Sequence, residues 1–295
     1  MDQAATLREG SGEGRRARPG GSRPIQVVAV SSGKGGVGKT NSVVNLAVAI
    51  QQQGKKVLLL DADLGLGNID VLLGLTPKCN LGDLLRGDKQ LSEVLVDGPE
   101  GIKILPASSG VQELTELSTE DRLQLSQHLD TMDIDIDVMI IDTGAGISDN
   151  VLFFNVAAQE IVVVVSPEPT SLTDAYALMK VLFKKHGERR FNLLVNTAKT
   201  KKEGLEVFKK ISLAAERFLN ISVDYLGCVL YDENVPRAVV QQKAVIELFP
   251  HTKASRCFKE IAREITALPL QGNNVKGGGL QFFWRQMLTK DIETI

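Results

Sequence analysis

Gly33-Lys34-Gly35-Gly36-Val37-Gly38-Lys39-Thr40 gathers glycines, two lysines and a hydroxyl into one short run. The apolar segment Ile25 to Val30 precedes it, and the stretch after it, Val43 to Ile50, reads as a helix. Between a strand and a helix, glycines at this spacing let successive backbone N–H groups curl around a phosphate, and the helix N-terminus adds positive potential. Lys39 is then placed to reach the β- and γ-phosphates of a nucleoside triphosphate, and Thr40 to hold Mg²⁺. Asn41, next along, is grouped with the same site. Lys34 has no role in that scheme. It is either a solvated loop residue or a second cation serving a phosphate held by a neighbouring subunit.

Two further segments could face that phosphate. Asp61-Ala62-Asp63-Leu64-Gly65-Leu66-Gly67-Asn68 follows an aliphatic run ending at Leu60. Asp61 is placed to hold a metal-bound water, and Asp63 to orient or deprotonate an attacking water. A turn that merely ends a strand would use the same residue types. Val138 to Ile141 runs into Asp142-Thr143-Gly144-Ala145-Gly146. There Asp142 suits an outer-shell Mg²⁺ partner, and Gly144 and Gly146 permit the backbone to approach and sense a γ-phosphate. No guanine reader of the N/T-K-x-D kind follows a late strand. Asn196, after Phe191 to Val195, offers a side-chain amide to an adenine edge, or is a plain turn residue. ATP is therefore expected rather than GTP.

The elements that must position these groups alternate along the chain. Strands are expected at Gln26–Ser31, Lys56–Leu60, Ile102–Pro106, Val138–Ile141, Ile161–Val165, Phe191–Val195 and Tyr225–Leu230. Helices are expected at Lys39–Gln53, Glu120–Leu129, Asn150–Ala158, Ser171–His186, Leu205–Leu219, Val235–Gln242 and Ser255–Ala267. Near-continuous hydrophobicity suits strands buried on both faces, so the fold class is α/β: a mostly parallel sheet flanked by helices on both faces. Ligands in such folds sit beyond the carboxyl ends of the strands, where all three motifs fall. The organisation expected is a flexible N-terminal segment (1–24), a P-loop domain (25–270), and a linker with a C-terminal amphipathic helix (271–295).

Composition narrows the alternatives. The chain has 295 residues and a net charge of −2, so no nonspecific nucleic-acid footprint is written into its overall balance. Cys79, Cys228 and Cys257 lie far apart, against a disulfide framework, a thiolate zinc site or a single-chain iron–sulfur cluster. With no signal-peptide core and no long apolar run, a cytoplasmic protein is expected, one that can still associate with a membrane surface. Lys184-Lys185, Arg189-Arg190, Lys199 to Lys202 and Lys209-Lys210 form a positive run. It reads as a solvated face or a protein-docking surface.

Lys34-Gly35-Gly36-Val37-Gly38-Lys39-Thr40 resembles the deviant Walker A motif of the MinD/ParA ATPases, whose extra lysine reaches across a nucleotide-sandwiched dimer. Asp61 to Asp70 looks like their switch I, with Asp63 at the hydrolytic position. Asp142 to Gly146 looks like switch II, with Gly144 where many relatives have Pro. Pro167-Glu168-Pro169-Thr170-Ser171-Leu172-Thr173-Asp174 resembles the segment that supplies carboxylates to the extra lysine, which makes Glu168 and Asp174 candidate partners of Lys34. The similarity covers about Ile25 to Leu268. It implies a slow, Mg²⁺-dependent ATPase cycling between ATP and ADP, dimeric when ATP-bound.

Within that family, three segments resemble the branch of flagellar-number regulators (FlhG/FleN). They are Pro167 to Ala177, Tyr231-Asp232-Glu233-Asn234-Val235-Pro236-Arg237-Ala238 beside the adenine pocket, and Asp2-Gln3-Ala4-Ala5-Thr6-Leu7-Arg8. The last is similar to the segment through which that branch binds and stimulates an FlhF-type GTPase, with Asp2 capping a brief helix that presents Leu7 and Arg8. A disordered terminus is the alternative. The branch also implies flagellar switch-complex (C-ring) proteins as partners and leaves a transcription regulator open. At the other end, Leu280, Phe283, Trp284, Met287 and Leu288 make one apolar stripe on a helix. Such a helix binds a membrane interface, as in MinD-type proteins, or docks into a groove of its own domain. Two rivals remain: a ParA-type ATPase positioning DNA or cargo, which salt-sensitive binding to duplex would reveal, and a metabolic or electron-transfer enzyme of the superfamily, which lacks its cluster cysteines and dinucleotide turn here.

Overall fold

Val- and Ile-rich runs with no polar face are buried only inside a sheet covered on both sides, and that is what they build. The computed structural model describes residues 25–107, 117–130, 132 and 134–269. Its strands are β1 (Gln26–Ser32), β2 (Val57–Ala62), β3 (Val96–Asp97), β4 (Lys103–Leu105), β5 (Val138–Ala145), β6 (Glu160–Val165), β7 (Arg190–Ala198) and β8 (Ser222–Leu230). They form one 8-stranded sheet in the order β3-β4-β2-β5-β1-β6-β7-β8. All neighbours pair in parallel except the short edge strand β3, which runs antiparallel to β4. The α/β class expected above is the one found. Two-residue β3 carries no pattern that could have announced it.

The helices are α1 (Lys39–Gln52), α2 (Ile69–Leu73), α3 (Leu81–Leu85), α4 (Leu91–Val94), α5 (Thr119–Asp130), α6 (Asp149–Ala157), α7 (Pro169–His186), α8 (Lys201–Leu219), α9 (Asn234–Val240), α10 (Val245–Leu248) and α11 (Lys253–Ala267). Strand periodicity divides the core. Val28, Val30, Leu59 and Ile140 face α1, α10 and α11. Val27, Leu58, Leu60 and Ile141 face α3 to α6, and Val163, Val165, Leu193 and Val195 face α7 and α8.

Several boundaries differ from the sequence pattern for identifiable reasons. α8 starts at Lys201 rather than Leu205, because the Thr200 side chain accepts from Glu203 N and caps a polar first turn. α11 gains its first turn the same way from Thr252. α7 begins at Pro169, whose missing N–H costs nothing there. β2 and β5 both extend past their aliphatic runs, so Asp61 and Asp142 lie within the strands as direct cross-strand neighbours.

The partner motif Asp2 to Arg8 and the stripe Leu280 to Leu288 lie outside the described residues. Among the described residues, no helix is long and apolar enough to cross a membrane.

Candidate functional site

β1 delivers the chain to Ser32, whose hydroxyl donates to the Lys34 carbonyl at 2.9 Å. The loop then turns through Gly36 and Gly38, both at φ 80. A Cβ at Gly38 would stand 2.3 Å from Asn196 Nδ2, whereas one at Gly35 or Gly36 would meet nothing within 4 Å. The loop is thus tight against β7 on one side and open on the other. Lining that open side is a cleft of about 470 Å³, which includes Gly35, Gly36, Gly38, Lys39, Thr40, Asn41, Asp63 and Asn68. Unblocked loop amides, the Thr40 hydroxyl and carboxylates behind it are the donors that a triphosphate and Mg²⁺ require, so the residues present fit both.

The electrostatics concentrate behind the loop. Lys39 Nζ lies 2.6 Å from Asp142 Oδ1, with both side chains buried. Burial pushes the Asp142 carboxyl up, against the opposing pull of Lys39 and of a hydrogen bond from Thr40. Asp61, alongside, is raised to about 7 by burial and then by the Asp142 charge, opposed by the N–H groups of Ile69 and Asp63 and by Lys39. Its oxygens are well occupied: Oδ1 accepts from Asp63 N at 3.2 Å, and Oδ2 from Asn68 N at 3.1 Å and Ile69 N at 3.2 Å. Asp61 therefore folds the turn that carries Asp63.

This raises a pH prediction. A carboxyl whose folded pKa lies near 7, against 3.8 unfolded, keeps its proton longer in the folded state. Its stabilising contribution is full below the unfolded value and is lost as pH rises through the folded one. Urea denaturation of nucleotide-free protein should show stability falling from about pH 4 to about pH 7, with a shallower fall in Asp61→Ala. Equal slopes in the two proteins would remove Asp61 as the source.

The Asp61 to Asn68 and Asp142 to Gly146 segments face one another. Asp63 Oδ1 lies 3.7 Å from where a Gly144 Cβ would stand. Gly146 sits at φ 92 and its N–H donates to Ser32 O at 2.9 Å, tying the end of β5 to the loop strand. Gly144, by contrast, keeps an ordinary backbone conformation and does not use glycine's freedom.

Lys34 does not point into this floor. Its Nζ is 2.6 Å from Glu168 Oε2 and 2.9 Å from Thr170 Oγ1 at the start of α7. Asp174, the other carboxylate expected there, makes no ion pair with Lys34. It lies a turn further along α7, where its backbone would be 2.2 Å from a Cβ on Gly33, and Thr170 takes its place. The Lys34 side chain is 29% exposed and Glu168 65%, so the pair holds the lysine weakly, by about 0–1 kcal/mol.

Two other expected site residues have partners within the protein. Asp232 accepts from Asn234 N and Nδ2 with Oδ1, and from Ala254 N with Oδ2. Burial pushes this carboxyl up, but those hydrogen bonds outweigh it and hold it below the usual range. Both oxygens serve the starts of α9 and α11, so Asp232 anchors the two helices beside the loop. Asn196 Nδ2 donates to Val37 O at 2.8 Å, which leaves Oδ1 as its acceptor toward a base. Val71, Val239 and Gln242 also line the cleft, unannounced by any motif. Gln242 Nε2 donates to Val71 O at 2.9 Å from a residue at φ 53, docking α2 against the end of α9.

Residues 25–193 match the AAA-domain family. The antiactivator FleN of Pseudomonas aeruginosa is 48% identical over 269 residues, covering 91% of this chain and 95% of that protein. The flagellum site-determining protein YlxH of Helicobacter pylori is 30% identical over 263 residues, covering 88% and 89%. The solved structure of the Aquifex aeolicus cell division protein MinD superposes with a TM-score of 0.66 at 26% identity, covering 83% of this chain and 99% of that one. With agreement to FleN running through almost the whole of both chains, and a MinD sheet beneath it, this protein belongs to the MinD/ParA family of P-loop ATPases, in the branch that includes FleN.

Proposed function

We propose that this protein is a slow ATPase that works as an assembly switch for the flagellum, with two copies closing face to face on a pair of ATP molecules. The observation that carries the dimer is Lys34: a cation at the phosphate loop, turned away from its own floor and held by one weak ion pair. Glu168 and Thr170 keep it ready for a phosphate presented by a second copy. The name of YlxH, a flagellum site-determining protein, supports the flagellar setting, and that of FleN, an antiactivator, supports a regulatory role.

The residues divide the work as follows. The loop amides and Lys39 bind the phosphates, with Lys39 exchanging Asp142 for the γ-phosphate. Thr40, Asp142 and Asp61 would hold Mg²⁺, which neutralises phosphate charge. Asp63 orients water at the cleft, and Asn196 Oδ1 accepts from the adenine amino group. Hydrolysis separates the copies and resets the complex. On this reading Asp2, Gln3, Ala4, Leu7 and Arg8 engage an FlhF-type GTPase and stimulate it, and C-ring proteins, with or without a transcription regulator, are further partners. The stripe at Leu280, Phe283, Trp284, Met287 and Leu288 gives the dimer two weak membrane contacts that act together.

Light scattering with saturating Mg-ATP tests the dimer. An Asp63→Ala background should give a dimer, and adding Lys34→Ala should return it to monomer with nucleotide still bound. Should the Lys34→Ala addition leave the dimer intact, the trans role is lost. Counting flagella per cell after gene deletion tests the setting, with an altered number expected.

A further inference from the structure

Where β1 and β5 meet the nucleotide site, their ladder is irregular. Val30 pairs with Asp142 but Ser32 pairs with Ala145, so β5 carries an extra residue in the Thr143–Gly144 stretch. A bulge leaves local backbone unpaired and free to bend. Here a side-chain chain replaces the missing ladder. Asn155, on α6, brings Nδ2 to 2.7 Å from Ser31 Oγ and 2.6 Å from Val151 O. Ser31 Oγ is 2.6 Å from Thr143 Oγ1, which in turn lies 2.9 Å from the Gly144 carbonyl and 3.2 Å from that of Val30.

The protons can run in one direction. Asn155 Oδ1 is 3.0 Å from the same serine, but donation by Nδ2 leaves the Ser31 proton for Thr143 and the Thr143 proton for Gly144. Ser31, Thr143 and Asn155 are all fully buried. Among the apolar residues of α6, an amide at this depth costs stability unless its hydrogen bonds return something that a leucine would not. What it reaches is the backbone of the Asp142 to Gly146 segment, at Gly144, which has no side chain to fix it.

We propose that Asn155 is a positioning residue for nucleotide turnover, holding the Gly144 carbonyl in register with the phosphate loop through Ser31 and Thr143. This rests on reading Asp142 to Gly146 as a nucleotide switch. Ser31, Thr143, Gly144 and Asn155 are not among the residues that line the nucleotide cleft. Its effect is on how often the switch II backbone occupies the geometry that meets the phosphate.

The test uses the full-length protein. In nucleotide-free hydrogen exchange, Asn155→Leu should speed exchange of the amides from Gly144 to Ile147 about tenfold, with α1 amides unchanged. Steady-state ATP hydrolysis should lose about tenfold in kcat with KM within about twofold, because loop binding is untouched. Thr143→Val should reproduce both effects, and the double variant should be no worse than either single one, since both break the same chain. Unchanged exchange in Asn155→Leu, or additive losses in the double variant, would overturn the proposal. If Asn155→Leu does not fold, Thr143→Val alone decides through the same exchange measurement. A wild-type protein without ATP turnover would sink the ATPase reading, while the exchange comparison would still judge the network.

Discussion

Lys39→Ala should lose nucleotide binding and also weaken the nucleotide-free fold. Lys39 and Asp142 form an ion pair at 2.6 Å with side-chain exposures of 8% and 1%. Removing the lysine strands a buried carboxylate beside the already elevated Asp61, which costs about 3–5 kcal/mol in comparable pairs. Part of that cost is relieved if Asp142 takes up a proton. The two consequences separate in a double variant. Lys39→Ala with Asp142→Asn should regain most of the lost stability in a urea melt, because the orphaned charge is gone. Binding should not return, because no ammonium is left to meet the phosphates, and calorimetry with ATP should stay flat. Binding retained by Lys39→Ala would remove the loop as the phosphate site.

Asp63→Ala should separate binding from turnover. Its backbone N–H, which any residue supplies, bonds to Asp61 Oδ1 at 3.2 Å, so the switch turn survives the change. The side chain lies half-buried at the cleft, facing Gly144, and holds no part of the loop. Hydrolysis should therefore fall by about 10²- to 10⁴-fold, the usual reach of a positioned acid–base group. ATP affinity should stay within about threefold. On the proposed cycle, in which hydrolysis separates two copies, dimer should accumulate in light scattering with Mg-ATP. A monomeric Asp63→Ala protein with ATP bound would contradict the role.

Much of this was legible before any coordinates. Glycine spacing encodes a phosphate loop locally: Gly36 and Gly38 turn through φ values that other residues avoid, so the motif carries its own geometry. Aliphatic runs without a polar face encode buried parallel strands for a similar reason, since burial on both faces leaves no alternation to keep. Capped polar first turns were harder to see, because Lys201 to Gly204 owe their helix to caps such as the Thr200 hydroxyl, which accepts from Glu203 N.

By itself, the sequence determined the fold class, the loop, the two Asp- and Gly-bearing strand ends beside it and the presence of a second lysine. Tertiary structure alone decided which groups those residues meet. It pairs Lys34 with Glu168 and Thr170 rather than Asp174, and turns Asp232 into a double helix anchor. It brings Asp61 beside Asp142, and it joins Ser31 to Asn155 across more than a hundred residues of chain. The division has a physical cause. Backbone conformation and burial depend on residue type and near neighbours, whereas a side-chain hydrogen bond depends on ångström-scale distances set by the register of distant strands.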